Sequence, residues 1–152
     1  MNVSIRNFIF ALFAAAIFSA GLVQSASADE HQIKYRKGVM KAIGGTMGSL
    51  AAVLKKQAPG EHAVTLAMTM RNLASIVPDV FPEGSDFGET GALPVIWEKP
   101  AEFKAAMDAF VLAAAVLPNA AAEGGRAYGV AFGDLGKSCK GCHENFREKK
   151  KK

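Results

Sequence analysis

The chain has 152 residues, half of them apolar and 21% charged, a balance that suits a single globular domain and excludes a disordered one. Fifteen Gly and six Pro without a repeat exclude a collagen-like fibre, and two Cys are too few for a disulfide scaffold. A formal charge of +4 is too small to imply a nucleic-acid partner without a clustered basic patch.

Arg6 is the only charge before Asp29. Phe8 to Val23 is apolar or small throughout apart from Ser19, and Ala26-Ser27-Ala28 is a small-x-small site followed by the charged Asp29-Glu30. Residues 1–28 therefore read as a cleaved signal peptide. A transmembrane anchor is the rival reading. The apolar run would span only about 24 Å as a helix, short of a hydrocarbon core of roughly 30 Å. The mature chain, residues 29–152, keeps 17 Lys+Arg against 14 Asp+Glu, a charge of +3. The expected location is the periplasm, with no membrane anchor after cleavage. Free thiols are a liability in an oxidising compartment, so the C-x-x-C pair reads as a disulfide or as bonded to something else.

The mature chain shows four helical patterns and no convincing strand. In the first, Arg36, Met40, Ile43, Met47, Leu50 and Leu54 step by four and three along one stripe. Lys55, Lys56 and Pro59-Gly60 end it. The second runs from about Glu61 to Val77, with Leu66, Met70, Leu73 and Val77 on one face, and Pro78 stops it. The third starts at Pro100, which suits a first helical turn, and carries Phe103, Met107, Phe110, Ala114 and Leu117. The fourth follows Pro118-Asn119, with Asn119 as its cap. Its stripe is Tyr128, Phe132, Leu135, Cys139, Cys142 and Phe146. Each helix has one apolar face to bury, which predicts an all-α, antiparallel four-helix bundle. The link Pro78 to Lys99 is long. It reads as a crossover pinned by Val95, Ile96 and Trp97, or as a lid.

Cys139, Cys142 and His143 form C-x-x-C-H, the attachment motif of a c-type haem. The two thiols add across the two vinyl groups of the porphyrin, and the next histidine reaches the iron. A helix puts Cys139 and Cys142 on one face. A zinc site would need about two further ligands, and the remaining histidines, His31 and His62, belong to no second ligand pair. A redox disulfide wants a strand-helix context, and a structural disulfide leaves His143 unexplained. Glycines recur along the fourth helix, at Gly129, Gly133, Gly136 and Gly141, as where a flat ring or another backbone approaches closely. Gly124-Gly125 reads as a kink or helix end.

The motif sits near the end of the last helix of a four-helix bundle, and the chain resembles the class II c-type cytochromes, the cytochrome c′ and cytochrome c-556 family. The likeness is carried by Tyr35-Arg36 with Met40, by Phe81-Pro82-Glu83-Gly84, by Ile96-Trp97, and by Gly136-Lys-Ser-Cys139-Lys-Gly-Cys142-His143-Glu-Asn-Phe146-Arg147. It implies one covalent haem (heme c) held by Cys139 and Cys142, with His143 on the iron. It implies that the first helix supplies the residue over the other face, and Met40 falls there. In the c-556 branch a methionine at this place ligates iron. In cytochrome c′ an apolar residue leaves the site open to small gases, and some members carry an unbonded methionine. The run Arg36 to Leu50 looks closer to the c-556 branch, and Met47 reads as core. The resemblance also implies that Arg36 meets a haem propionate and that Arg147 lies beside the proximal histidine. A snorkelling Arg36 and a helix-terminal cation at Arg147 are the bland alternatives.

These readings predict an electron carrier with His143 and Met40 on the iron, not an enzyme. The alternative is a five-coordinate protein that binds nitric oxide or carbon monoxide. A peroxidase would want polar distal groups, and the first helix offers only Thr46, Ser49 and lysines near the seam. The expected partners are redox proteins, steered by Lys137 and Lys140. The resemblance further implies a homodimer through helices one and two. Gly44, Gly48 and Ala52 suit that contact, or else only packing inside the bundle.

Overall fold

The computed structural model describes residues 20–149, with side-chain environments from residue 30 onward. Most of the expected leader lies outside these residues, and residues 20–28 begin the first helix. The long helices are α1 (Ala20–Leu54), α2 (Ala63–Ser75), α4 (Pro100–Glu123) and α5 (Gly125–Phe146), with α3 (Val95–Glu98) a single turn between α2 and α4. They form the four-helix bundle. Among the described residues the only β-like pairing is one antiparallel bridge, Ala92 to Arg147.

α1 buries Ile33, Arg36, Val39, Ile43, Leu50 and Val53 along one side. It ends where Lys56 takes φ 58° and the amides of Lys56 and Gln57 turn back to the carbonyls of Val53 and Ala52. That is a Schellman ending with lysine at the left-handed position, so helix termination here comes from local hydrogen bonding as much as from Pro59.

α2 starts after a 3-10 turn at Gly60–His62 and stops at Ser75, two residues short of the expected end. Pro78 lies in the first turn of a second 3-10 segment, Val77–Val80. The buried face also differs from the expected one. Ala63, Ala67, Met70 and Ala74 are buried, while Leu66 and Leu73 flank the seam half-exposed. Ala67, Ala74 and Ala114 of α4 are completely buried. Small side chains let the two helix axes approach, and the larger leucines are displaced to the edges.

The fourth helix does not begin at Asn119. α4 continues through Pro118 to Glu123, and Asn119 is exposed inside it. Proline removes one helical hydrogen bond and crowds the preceding turn. Here its ring is buried beside Leu117 and Ala121, and that packing keeps the helix going. The break falls at Gly124, with φ 71° and ψ −163°, followed by Gly125 at φ 50°. Both values favour glycine. Gly124 alone joins α4 to α5, so these helices form a tight antiparallel hairpin.

The main core lies among α1, α2, α4 and α5, and Tyr128 crosses it to donate a hydrogen bond to the Leu50 carbonyl at 2.8 Å. A smaller core gathers Ile96, Phe103 and Phe146 under the long connection. The Phe81, Phe103 and Phe146 rings meet edge to face at 4.9 and 5.1 Å. As expected, the α3 turn pins the connection: Ile96 is buried and Trp97 Nε1 donates to the Pro82 carbonyl at 3.1 Å.

Candidate haem site

A cavity of about 180 Å³ opens between α1, α5 and the connection. Its floor is apolar, built by Phe81, Phe103, Met107 and Phe146. Met40 enters from α1, and Cys142 and His143 enter from α5. Arg36, Lys37 and Arg147 also line it. Five of the six residues singled out from the sequence thus share one cavity. Cys139, one turn before Cys142, is half-buried against the main core and is not among the lining residues. Met47 belongs to the core as expected, with its Cε 3.6 Å from the place a Gly136 Cβ would take.

The donor set fits a covalently tethered haem. Both cysteines are free and half-buried on one helix, and an imidazole follows directly. Burial raises both thiol pKa values above the ordinary range. For Cys142 the neighbouring Cys139 adds to this and Arg147 opposes it. Burial, then the charge of Arg147, lowers the pKa of His143. Its imidazole is therefore neutral at pH 7, the form that binds a metal.

Arg36 is 3% exposed. Its Nη1 donates to Ser85 Oγ, and its Nη2 donates to the Ser85 carbonyl and Thr90 Oγ1, each at 2.8 Å. The guanidinium also sits 5.0 Å from the centre of the Phe81 ring and 5.9 Å from that of Trp97. It does not snorkel. Ser85 and Thr90 carried no sequence signal, because isolated hydroxyls in a loop are common. Arg147 is exposed in extended backbone after α5, held by its bridge to Ala92.

The expected steering lysines are already paired on their own helix. Lys137 meets Asp134 at 2.8 Å and Lys140 meets Glu144 at 3.6 Å. Exposed pairs at these spacings leave little net field. The exposed cations that line the cavity are instead Lys37 and Arg147, and neither makes an ion pair among the described residues. The glycines give a mixed result. An added Cβ at Gly44, Gly45 or Gly48 meets nothing within 4 Å, and the same holds at Gly129, Gly133 and Gly141. Among the described residues no other helix therefore approaches closely at these glycines.

A four-helix bundle with C-x-x-C-H on its last helix, facing a methionine on its first, defines a class II c-type cytochrome. The family profile described as Cytochrome C' matches residues 31–147. The chain is 41% identical to cytochrome c' of Pararhodospirillum photometricum over 126 residues, covering 78% of this chain and 98% of that one. It is 37% identical to cytochrome c-556 of Agrobacterium fabrum over 142 residues, covering 91% and 89%. Its fold matches that of a ferrous cytochrome c prime variant from Alcaligenes xylosoxidans with bound NO, at TM-score 0.74 and 31% identity, covering 80% and 97%. The chain belongs to the cytochrome c′ family, haem proteins of electron transfer or gas binding whose cofactor is a covalent haem c.

Proposed function

We propose that this protein is a periplasmic mono-haem electron carrier whose iron His143 and Met40 would ligate. The observation that carries the reading is the meeting of Met40 from α1 and His143 from α5 in one apolar cavity. Cys139 and Cys142 tether the haem, whose iron supplies a one-electron couple when bound. The Phe81, Phe103 and Phe146 rings exclude water from the floor. With the Met40 thioether and the His143 imidazole both holding it, the iron would favour the reduced state and have a raised potential. Arg36 would meet a haem propionate, and Arg147 holds its positive charge near the His143 imidazole. Lys37 and Arg147 give the cavity mouth a positive sign that suits an acidic redox partner. Cleavage after Ala28 frees the chain from its leader. The open space beside Gly44, Gly45 and Gly48 suits a second copy docked on α1 and α2.

The relative with bound NO supports a second reading, in which Met40 only covers the distal face and a small gas binds there. Optical and electron-paramagnetic-resonance spectra of the purified holoprotein discriminate. Low-spin iron in both oxidation states, a far-red sulfur-to-iron band and slow uptake of carbon monoxide are expected for the carrier. High-spin iron with rapid uptake would overturn it in favour of gas binding.

A further inference from the structure

Arg36 is the only charged side chain among the described residues that is buried, and Ser85 is the only other buried polar one. Burying a cation is costly unless its donors are met. The acceptors that meet it are all neutral: two hydroxyls and a backbone carbonyl. Burial lowers the Arg36 pKa and the charge of Asp86 only partly opposes this, while no carboxylate forms an ion pair with the guanidinium among the described residues. An arginine paired with a carboxylate has its charge cancelled. This one is fixed in place with its charge intact, at the wall of the cavity.

The acceptors are themselves held. Ser85 Oγ donates to the Pro82 carbonyl at 2.7 Å, and Trp97 Nε1 donates to the same carbonyl. Thr90 Oγ1 accepts from the Ala92 amide at 3.1 Å. Residues 82–92 thus wrap the guanidinium, with Gly88 at φ 96° at a tight point of the wrap. Of five N–H donors, three are used. One on Nη1 and the one on Nε have no partner among the described residues.

We propose that Ser85 and Thr90 are positioning residues. They lock Arg36 at the cavity wall so that an uncancelled charge and two free donors await a carboxylate of the cavity's occupant. The proposal rests on the haem reading, in which that carboxylate is a propionate. Through this arrangement the held cation would offset the propionate's negative charge, which otherwise favours the oxidised, more positive state.

The test uses holoprotein carrying Ser85→Ala with Thr90→Val, alongside Arg36→Leu and the conservative Thr90→Ser. Reduction potential is measured at low and high salt, and amide exchange across residues 83–91. The double variant is expected to lower the potential in the same direction as Arg36→Leu, and to make it more sensitive to salt, because a freed guanidinium is screened. Its Ser85 amide should exchange roughly three- to tenfold faster. Thr90→Ser should keep the wild-type potential. If exchange accelerates and the potential stays put while Arg36→Leu lowers it, the network only fastens the loop and the proposal is overturned. If Arg36→Leu leaves the potential unchanged, the propionate contact itself is wrong, and the positioning role falls with it. Thr90→Val alone, at a half-buried position, carries the same comparison if the double variant does not fold.

Discussion

Replacing Met40 with leucine separates ligation from packing. The two side chains have similar volume, and volume-conserving swaps in a core cost less than about 1.5 kcal/mol. Met40 is only half-buried on a cavity wall, so the cost should fall well inside that limit, about 0.5 kcal/mol. Met40→Ala is less informative. A half-buried methionine gives up about 1–2 kcal/mol of apolar burial on truncation whether or not its sulfur touches iron. Denaturant unfolding of Met40→Leu should therefore sit close to wild type. Its spectrum should not: loss of the thioether should convert low-spin to high-spin iron, abolish the far-red band and lower the reduction potential. Carbon monoxide uptake should accelerate, since no tethered ligand has to leave. Stopped-flow mixing and a redox titration read these changes directly. A Met40→Leu protein with unchanged spin state, potential and carbon monoxide kinetics would refute the reasoning.

Three further outcomes are expected. Tyr128→Phe loses one buried hydrogen bond, to the Leu50 carbonyl, and should cost about 0.5–1.5 kcal/mol in denaturant unfolding. Burial raises the Tyr128 pKa, so the folded state keeps a proton that the unfolded phenol releases near pH 10. That stabilisation is whole below about pH 10 and declines as pH rises through the higher folded value. Tyr128→Phe should flatten the decline, and an unaltered alkaline profile would show that another group controls it. Gly124→Ala forces a side chain into φ 71° at the single-residue joint between α4 and α5, and should cost about 1–3 kcal/mol by thermal unfolding. An unshifted melting temperature would mean the joint relaxes. Intact mass of the purified protein should begin at Asp29 and include one haem that survives acid and organic extraction. Removing both thiols should make that haem extractable.

The parts of this molecule that announce themselves in sequence are those set by periodicity or fixed chemistry. The stripes around Ile43 and Phe110 locate core faces because an apolar side chain in a helix has few places to go. C-x-x-C-H is legible because thioether attachment constrains spacing. What sequence misread depends on neighbours distant along the chain. Pro118 looks like a helix stop until its ring is packed beside Leu117 and Ala121. Leu66 and Leu73 look more central than Ala67 and Ala74 until close helix packing favours the smaller residues. Lys137 and Lys140 look like free charges, although the intrahelical partners Asp134 and Glu144 stand in plain view at three and four residues' distance. The hydroxyls that hold Arg36 lie 49 and 54 residues away, and no local pattern marks them.

The pairing beyond α5 has a consequence for how the chain tolerates alteration. The Leu93 amide donates to the Phe146 carbonyl at 3.1 Å, and the Glu148 amide donates to the Gly91 carbonyl at 2.8 Å. A helix terminus normally frays and accepts additions without complaint. This one is stitched to residues 91–93, so the turn bearing His143 lies between a packed middle and a fastened end. A fusion partner is best joined beyond Lys149, past the last stitch. One inserted residue between Gly91 and Leu93 would slip the stitches by a register and be felt at the turn that carries His143, although the insertion itself sits in a surface loop.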